Sequence, residues 1–286
     1  MDKLVIIIVY GLSYGFLLFF ASVGMSMALG TMGVVNVAHG VLYMVGGYIG
    51  IMVMEYTGSW FLGFLSAAIG AGIVSLIIWE GFLKRLYKQS LQQVLMTLGW
   101  VSILANLSLW VWGPYTKVAP EPAALSGNLA VGSYSIPSYR LALIGLGLAS
   151  FFVMWWLQEK TRLGAIVRAG MDDAEMVSGM GINLRPILSG VFSLGVLMAG
   201  MAALIGSPIL GGINPWVGPN MSFLAILVAI VGGVGYVQGT LLGALIIGIL
   251  SVIMATFYPG VTAISIYLLM VVVLLFKPVG LLGRKW

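Results

Sequence analysis

Read for polarity alone, the chain is a series of long apolar runs separated by short polar ones. Residues 4–29, 60–79, 141–157 and 187–209 contain no charge. At about 1.5 Å of rise per residue, each is long enough as a helix to cross all or most of a ~30 Å hydrocarbon core. Runs at 93–112, 221–235, 238–257 and 261–276 read the same way. All are apolar on every face, whereas a transmembrane strand alternates apolar and polar residues over about ten positions. The expected fold class is therefore all-α: a polytopic integral membrane protein with about eight or nine transmembrane helices, some interrupted by glycine, in one domain over residues 1–286. Residues 30–40 read either as a tight cytoplasmic turn or as the break in a discontinuous helix, which leaves the N-terminal sidedness and the helix count open.

Composition supports the bilayer as solvent. Apolar residues make up 61% of the 286 positions and charged residues 7%, against roughly 45–50% and about 25% in a soluble domain. Tyr56, Trp60, Trp110, Trp112, Tyr115, Trp155, Trp156 and Trp286 fall near run ends, where amphipathic rings suit the headgroup zone. Met1-Asp2-Lys3 leads straight into the first run without a small-residue cleavage site, so that run is expected to stay as an anchor. The chain has no cysteine, which excludes disulfides, thiolate metal sites and cysteine nucleophiles.

The net charge of +5 is read as topology. Basic residues gather in three stretches: Lys84, Arg85 and Lys88; Lys160, Arg162, Arg168 and Arg185; Lys277, Arg284 and Lys285. The positive-inside rule places all three, and the C-terminus, in the cytoplasm, so the charge-poor loop 113–138 falls outside. No exposed basic face is left for nucleic acid.

Most of the 40 glycines are expected to let helix backbones approach closely where lipid offers no hydrophobic drive for packing. Two clusters differ. Gly33-Val34-Val35-Asn36-Val37-Ala38-His39-Gly40 and Gly232-Gly233-Val234-Gly235-Tyr236-Val237-Gln238-Gly239 set polar groups and helix breakers among apolar runs and share the pattern Gly-Val-x-x-Val with a one-residue gap. Gly-interrupted segments at matching places in two halves are a sequence pointer to a substrate pathway, because non-helical backbone at membrane depth survives only beside protein or a water-filled cavity. Asn36, His39, Gly40, Gly233, Gly235 and Gln238 are the candidate pathway residues.

His39 is the only histidine, so no histidine-based metal site is available. It is either a hydrogen-bonded structural group or one that lines a pathway or pins a bend. Glu55 and Glu80 stand at run ends as interfacial carboxylates, and the absence of acids near run centres argues against a proton- or sodium-coupled carrier. Asn106, in mid-run, is expected to hydrogen-bond between helices. The chain lacks a nucleotide-binding loop, a nucleophile elbow, His-Glu-x-x-His and paired intramembrane aspartates, so it is not expected to be an enzyme. Energy for active transport would then enter through a partner.

The largest charged segment, residues 158–186, reads QEKTRLGAIVRAGMDDAEMVSGMGINLRP. Positions 162–179 have the composition of a short helix, with Asp172 and Asp173 placed to begin a turn ahead of Glu175. Topology alone needs a few lysines, whereas this segment mixes both charge signs with small residues and Met, Val and Ile. Such a helix can lay an apolar stripe into a groove on a soluble partner.

These residues resemble a known family. Thr161-Arg162-Leu163-Gly164, Arg168-Ala169, Asp173-x-Glu175 and Gly181-Ile182-Asn183 look like the cytoplasmic coupling segment of branched-chain amino-acid (LivH-type) ABC importer permeases. The Gly33–Gly40 run with Met44 and Gly46-Gly47-Tyr48, the Gly232–Gly243 region and the ending Phe276-Lys277-Pro278-x-Gly280-Leu281-x-Gly283 are similar as well. The resemblance covers essentially the whole chain. It implies a permease subunit of the bacterial inner membrane that pairs with a second homologous permease, two cytoplasmic ATPase subunits and an external solute-binding protein. ATP and Mg²⁺ would then sit on the ATPases, with no cofactor in this chain. The family imports branched-chain and other neutral amino acids, and relatives import urea and short amides. Arg162, Arg168, Asp173, Glu175 and Gly181 are the coupling candidates it implies. Glu175-Met176-Val177 departs from the Glu-Ala-Ala frequent in relatives, which suggests a differently shaped docking groove. The competing reading is a channel or self-sufficient carrier for a small neutral solute. An intramembrane enzyme has no acid–base or metal-ligand set to support it.

Overall fold

The computed structural model describes residues 2–86, 89–131 and 134–283, so Lys88, Arg284, Lys285 and Trp286 lie outside the described residues. Among these residues eleven α-helices and one hairpin follow in order: α1 (Asp2–Met32), α2 (His39–Thr57), α3 (Trp60–Gly81), α4 (Ser90–Trp112), the hairpin of β1 (Asn128–Val131) and β2 (Tyr134–Pro137), α5 (Ser138–Lys160), α6 (Arg162–Asp172), α7 (Ala174–Gly179), α8 (Leu184–Leu210), α9 (Val217–Gly232), α10 (Val237–Phe257) and α11 (Thr262–Phe276). Among the described residues, seven helices are long and apolar enough to cross a membrane: α1, α3, α4, α5, α8, α10, and α11 with its leading turn. The shorter apolar α9 and the enclosed α2 complete the bundle, in keeping with the eight or nine expected. Helix α9 starts at Val217, four residues ahead of the expected run at 221.

Helix α1 is the pillar. It is apolar on all faces, as a helix surrounded by protein or lipid must be, and its stretch from Phe16 to Ala28 is almost wholly buried. Helices α8 and α10 lie along it. At the α1–α8 crossing, a Cβ built on Gly24 would come within 2.0 Å of the Gly195 Cα, so the two backbones touch directly. Along α10, the Thr240 hydroxyl donates to the Ser26 hydroxyl at 2.7 Å. Helix α2 is enclosed by protein, with Tyr43, Met44, Tyr48 and Ile51 buried. Helix α4 and helix α11 are peripheral and turn Leu91, Leu95, Ile103, Ile264, Leu268 and Leu275 outward, as lipid-facing helices do.

The bundle has two distinct ends. One, the basic end, carries residues 82–86, 158–183 and 277–283. The other carries loop 113–137 and residues 211–216, joined where Lys117 and Ile213 exchange backbone hydrogen bonds of 2.9 and 2.7 Å. The start of α1 belongs to this far end: the Arg140 guanidinium lies 3.7 Å from the centroid of the Tyr10 ring and donates to the Ser13 hydroxyl. Helix α1 therefore runs from the far end to the basic end. Residues 33–38 then return non-helically into the bundle, and α2 starts beside the middle of α1. This is neither a tight surface turn nor a break in one continuous helix. The chain reverses inside the protein.

Three polar expectations are located by the fold. Glu55 pairs with Lys117 at 3.1 Å at the far end. Glu80 pairs with Lys84 at 2.6 Å and accepts from the Ser189 hydroxyl at the basic end. Both acids sit at helix ends in contact with water. Asn106 is a correction: its side chain is exposed and its amide donates to the Ser102 carbonyl one turn back in the same helix, so it joins no helices within this subunit.

The α1–α8 crossing yields a test. Gly24→Ala should destabilise by about 1–3 kcal/mol, because the added methyl overpacks a backbone contact. Gly145→Ala, where an added Cβ meets nothing within 4 Å, should be neutral or stabilising by up to about 1 kcal/mol. Thermal unfolding of the two variants in lipid nanodiscs measures the difference, and equal melting temperatures would refute the close crossing.

Candidate functional site

The first polar cluster is a self-satisfied knot. The Asn36 side-chain oxygen accepts from the Ala38 N–H at 3.0 Å, and its backbone carbonyl accepts from the His39 N–H at 3.3 Å. This is the turn that asparagine side chains favour. His39 Nε2 lies 2.9 Å from the Ala21 carbonyl; a carbonyl can only accept, so Nε2 carries the proton. Gly40 lies against α9, its N–H donating to the Ser222 hydroxyl at 2.9 Å, and a Cβ there would fall 2.1 Å from the Gly218 carbonyl. Val37 N–H donates to the Thr97 hydroxyl of α4 at 3.3 Å. Asn36 and His39 are 1% and 3% exposed, and both polar groups are committed to holding the return of the chain.

The second cluster sits at the basic end. Gly233 and Gly235 adopt φ of 111° and 88°, conformations that glycine alone takes readily. They break the path between α9 and α10. Gly235 N–H donates to the Ser26 hydroxyl at 3.2 Å, and Leu281 and Leu282 N–H groups donate to the Val231 and Gly232 carbonyls. Gln158, 1% exposed near the end of α5, completes the clamp: its amide donates to the Gly235 carbonyl at 2.5 Å and its oxygen accepts from the Val237 N–H at 3.0 Å. Gln238 is half-buried in the first turn of α10. The two clusters meet α1 at Ala21 and Ser26, about 8 Å apart along that helix at 1.5 Å per residue, and meet α9 near its start and at its end. They are separate clusters on two shared helices.

The coupling candidates form a compact unit on the basic end. The expected single helix divides at Asp173, whose carboxylate accepts from the Glu175 and Met176 N–H groups at 2.9 Å each. The Asp172 side chain lies outside the described residues. Arg162 is exposed at the start of α6. Arg168 donates to the Gln158 backbone carbonyl and stands 3.7 Å from the Glu159 carboxylate. Gly181, with φ of 80°, turns the chain out of α7 toward α8. Glu175 lines a groove of about 1020 Å³ between α7 and the basic end of α3, whose walls also include Glu80, Lys84, Arg85, Asn183 and Arg185. Leu163, Met176 and Met180 are 57%, 64% and 59% exposed on this otherwise charged segment.

A scan against family models matches residues 7–276 to the permease component of branched-chain amino-acid transport systems. The chain belongs to that family. The permease is 29% identical to the high-affinity branched-chain amino-acid transport permease BraD of Pseudomonas aeruginosa, over 97% of this chain and 95% of that protein. It is 29% identical to LivH of Salmonella typhimurium, over 92% of this chain and 90% of that protein. A partial similarity, 29% identity over 65% of this chain, extends to the ribose import permease RbsC of Escherichia coli. No solved structure matches. The permease is thus a multi-pass membrane component of an ABC transporter and works with other transporter subunits.

Sequence reasoning missed Thr97, Ser222, Ser26 and Gln158. The readable signal was there: a hydroxyl or amide within an apolar run must find a partner, and non-helical backbone is the partner most in need. Ser222→Ala should leave the Gly40 N–H without an acceptor and cost about 1–3 kcal/mol, with Ser222→Thr retaining the bond; melting temperatures in nanodiscs compare the two. Asp173→Ala should cost about 1 kcal/mol at the start of α7. Hydrogen–deuterium exchange is expected to speed at residues 174–179 and stay unchanged in α8.

Proposed function

We propose that this permease passes a small neutral or zwitterionic solute, a branched-chain or other amino acid, into the cytoplasm as the membrane-spanning subunit of an importer powered by partner ATPases. In this reading the basic end faces the cytoplasm, as the positive-inside rule requires, and the C-terminus lies there too. The partners are a second homologous permease, two ATPase subunits that hold ATP and Mg²⁺, and an external binding protein that delivers solute.

The observation that carries the proposal is the exposed apolar set Leu163, Met176 and Met180 on a capped, charged segment at the basic end. Lipid cannot cover a segment this polar, and large apolar side chains held on a rigid, water-facing unit are the anchors expected of a protein interface. Arg162, Arg168, Asp173, Glu175 and Gly181 shape that unit. ATP-driven closure of the ATPase pair would move it, and the bundle would switch access by rigid-body shifts. Known relatives named for branched-chain amino-acid transport support the solute class. So does the interior, where the buried polar side chains among the described residues are uncharged.

Met176→Asp tests the interface. A side chain that is 64% exposed can be changed without disturbing the fold, so the variant should be produced at the normal level and keep its melting temperature. Co-purification of the ATPases and ATP-dependent leucine uptake into proteoliposomes should fall by about tenfold or more, equivalent to at least ~1.4 kcal/mol of interface energy. Normal uptake by the variant, or uptake by this chain alone without ATP, would favour the self-sufficient channel instead.

A further inference from the structure

We propose that Gln158 is the positioning residue that carries movement of the coupling segment to the α9–α10 break. The inference rests on the reading of residues 158–186 as the segment on which partner ATPases act. It adds the route by which that action enters the membrane.

Three observations meet at this side chain. Its carboxamide grips the break at two points, the Gly235 carbonyl and the Val237 N–H. Both are backbone groups that the helix ladders leave unpaired, since one lies in the non-helical link and the other in the first turn of α10. The backbone carbonyl of the same residue accepts from Arg168 on α6. Residue 158 is thus bonded at once to the coupling helix through its main chain and to the break through its side chain.

Packing makes this the stiff connection. Gly164 of α6 sits so close to the end of α5 that an added Cβ would fall 2.1 Å from the Gln158 carbonyl oxygen. Between α6 and helices α1 and α8 an open apolar cleft of about 480 Å³ is lined by Met27, Leu163, Val167, Gly190 and Leu197, and Gln158 borders it from α5. A push on α6 has room to be taken up across the cleft toward α8 and α1, whereas at Gly164 its backbone already touches that of residue 158. The element it reaches can respond. Gly233 and Gly235 form the kind of short, left-handed link that absorbs large backbone changes, and the Ser26 hydroxyl receives both Gly235 N–H and Thr240 on the α1 side. An amide suits the task because its two bonds fix both distance and orientation without placing a charge in a low-dielectric site.

A purely static role and a relay role differ in what they predict for molecules that remain folded. Gln158→Met keeps the length of the side chain and removes both bonds. Gln158→Asn keeps the amide but is one methylene too short to reach both groups, and it serves where the first variant folds poorly. Because the chain has no cysteine, spin labels can be placed at Ala165 on α6, Val234 in the break and Phe257 at the far end of α10. The labelled permease is then assembled with its partner subunits in liposomes. In the parent, the 165–257 and 234–257 distances should both shift between the nucleotide-free and ATP-bound states.

In the Gln158 variants the first distance should still shift and the second should not. Solute moved per ATP hydrolysed should fall about tenfold, within the range of a coupling free energy between two sites. Variants in which both distances shift as in the parent, with unchanged solute moved per ATP, would overturn the relay and leave the coupling assignment standing. A parent whose 165–257 distance ignores ATP would overturn the coupling assignment itself, and the relay with it.

Discussion

The architecture depends on one obligation: backbone that leaves the helical state inside a bilayer must find its hydrogen-bond partners in the protein, since an orphaned group in hydrocarbon costs several kcal/mol. Two largely buried links among the described residues, 33–38 and 233–236, meet it. At 33–38 and the first turn of α2 the partners come from Asn36 itself, Thr97 and Ser222. At 233–236 they come from Ser26, Gln158 and the backbone of residues 281–282. Thr97, Ser222, Ser26 and Gln158 lie on α4, α9, α1 and α5, so each break ties several helices together. Thr97, Ser222, Ser26 and Gln158 are joints of the bundle.

Close backbone approach is the second half of the same solution. A hydroxyl on one helix reaches the main chain of another only if nothing bulky stands between, and Gly40 against Gly218, like Gly30 against Gly235, leaves that space free. The glycines and the hydroxyls are therefore one device. Removing either defeats the other, which is why the helix starts at His39 and Val237 are sharply defined although no side chain of the preceding residue caps them.

Much of the fold was legible because the bilayer makes it so. Length and apolarity alone predict the runs that became α3, α4, α5, α8, α10 and α11, and the glycine clusters predict where helices break. What the sequence could not disclose is depth and pairing. Asn36, His39 and Gly40 read as possible pathway residues because polar groups in apolar runs are unusual. Only the structure reveals that they bond to the Ala38 N–H, the Ala21 carbonyl and the Ser222 hydroxyl respectively. Asn106 looked like glue between helices, yet a helix facing outward lets an asparagine bond its own carbonyls. Gln158 passed for the first residue of a hydrophilic loop, because its partner is 77 positions away in the chain. The split at Asp173 was half visible: the capping residue could be read, but the exposed pair Met176 and Met180 acquires meaning only once α7 is seen to be short and solvent-facing.

Charge orientation and mechanical coupling are often treated as alternative explanations of a basic loop, and residues 158–186 separate them. Orientation needs positive charge on one side of the membrane and is indifferent to which residue supplies it or where its side chain points. Arg162, exposed at the start of α6, satisfies that requirement. Other features of the segment answer to geometry. Asp173 is negative, contrary to the orientation signal, and it caps α7. Gly164 has no room for a side chain, and Gly181 turns the chain at positive φ. Arg168 spends its guanidinium on the Gln158 backbone carbonyl and stands beside the Glu159 carboxylate, a specific placement that an orientation signal does not need. A loop under selection for charge alone would not hold these residue types in these conformations, so the shape of the segment, beyond its sign, is what the fold maintains.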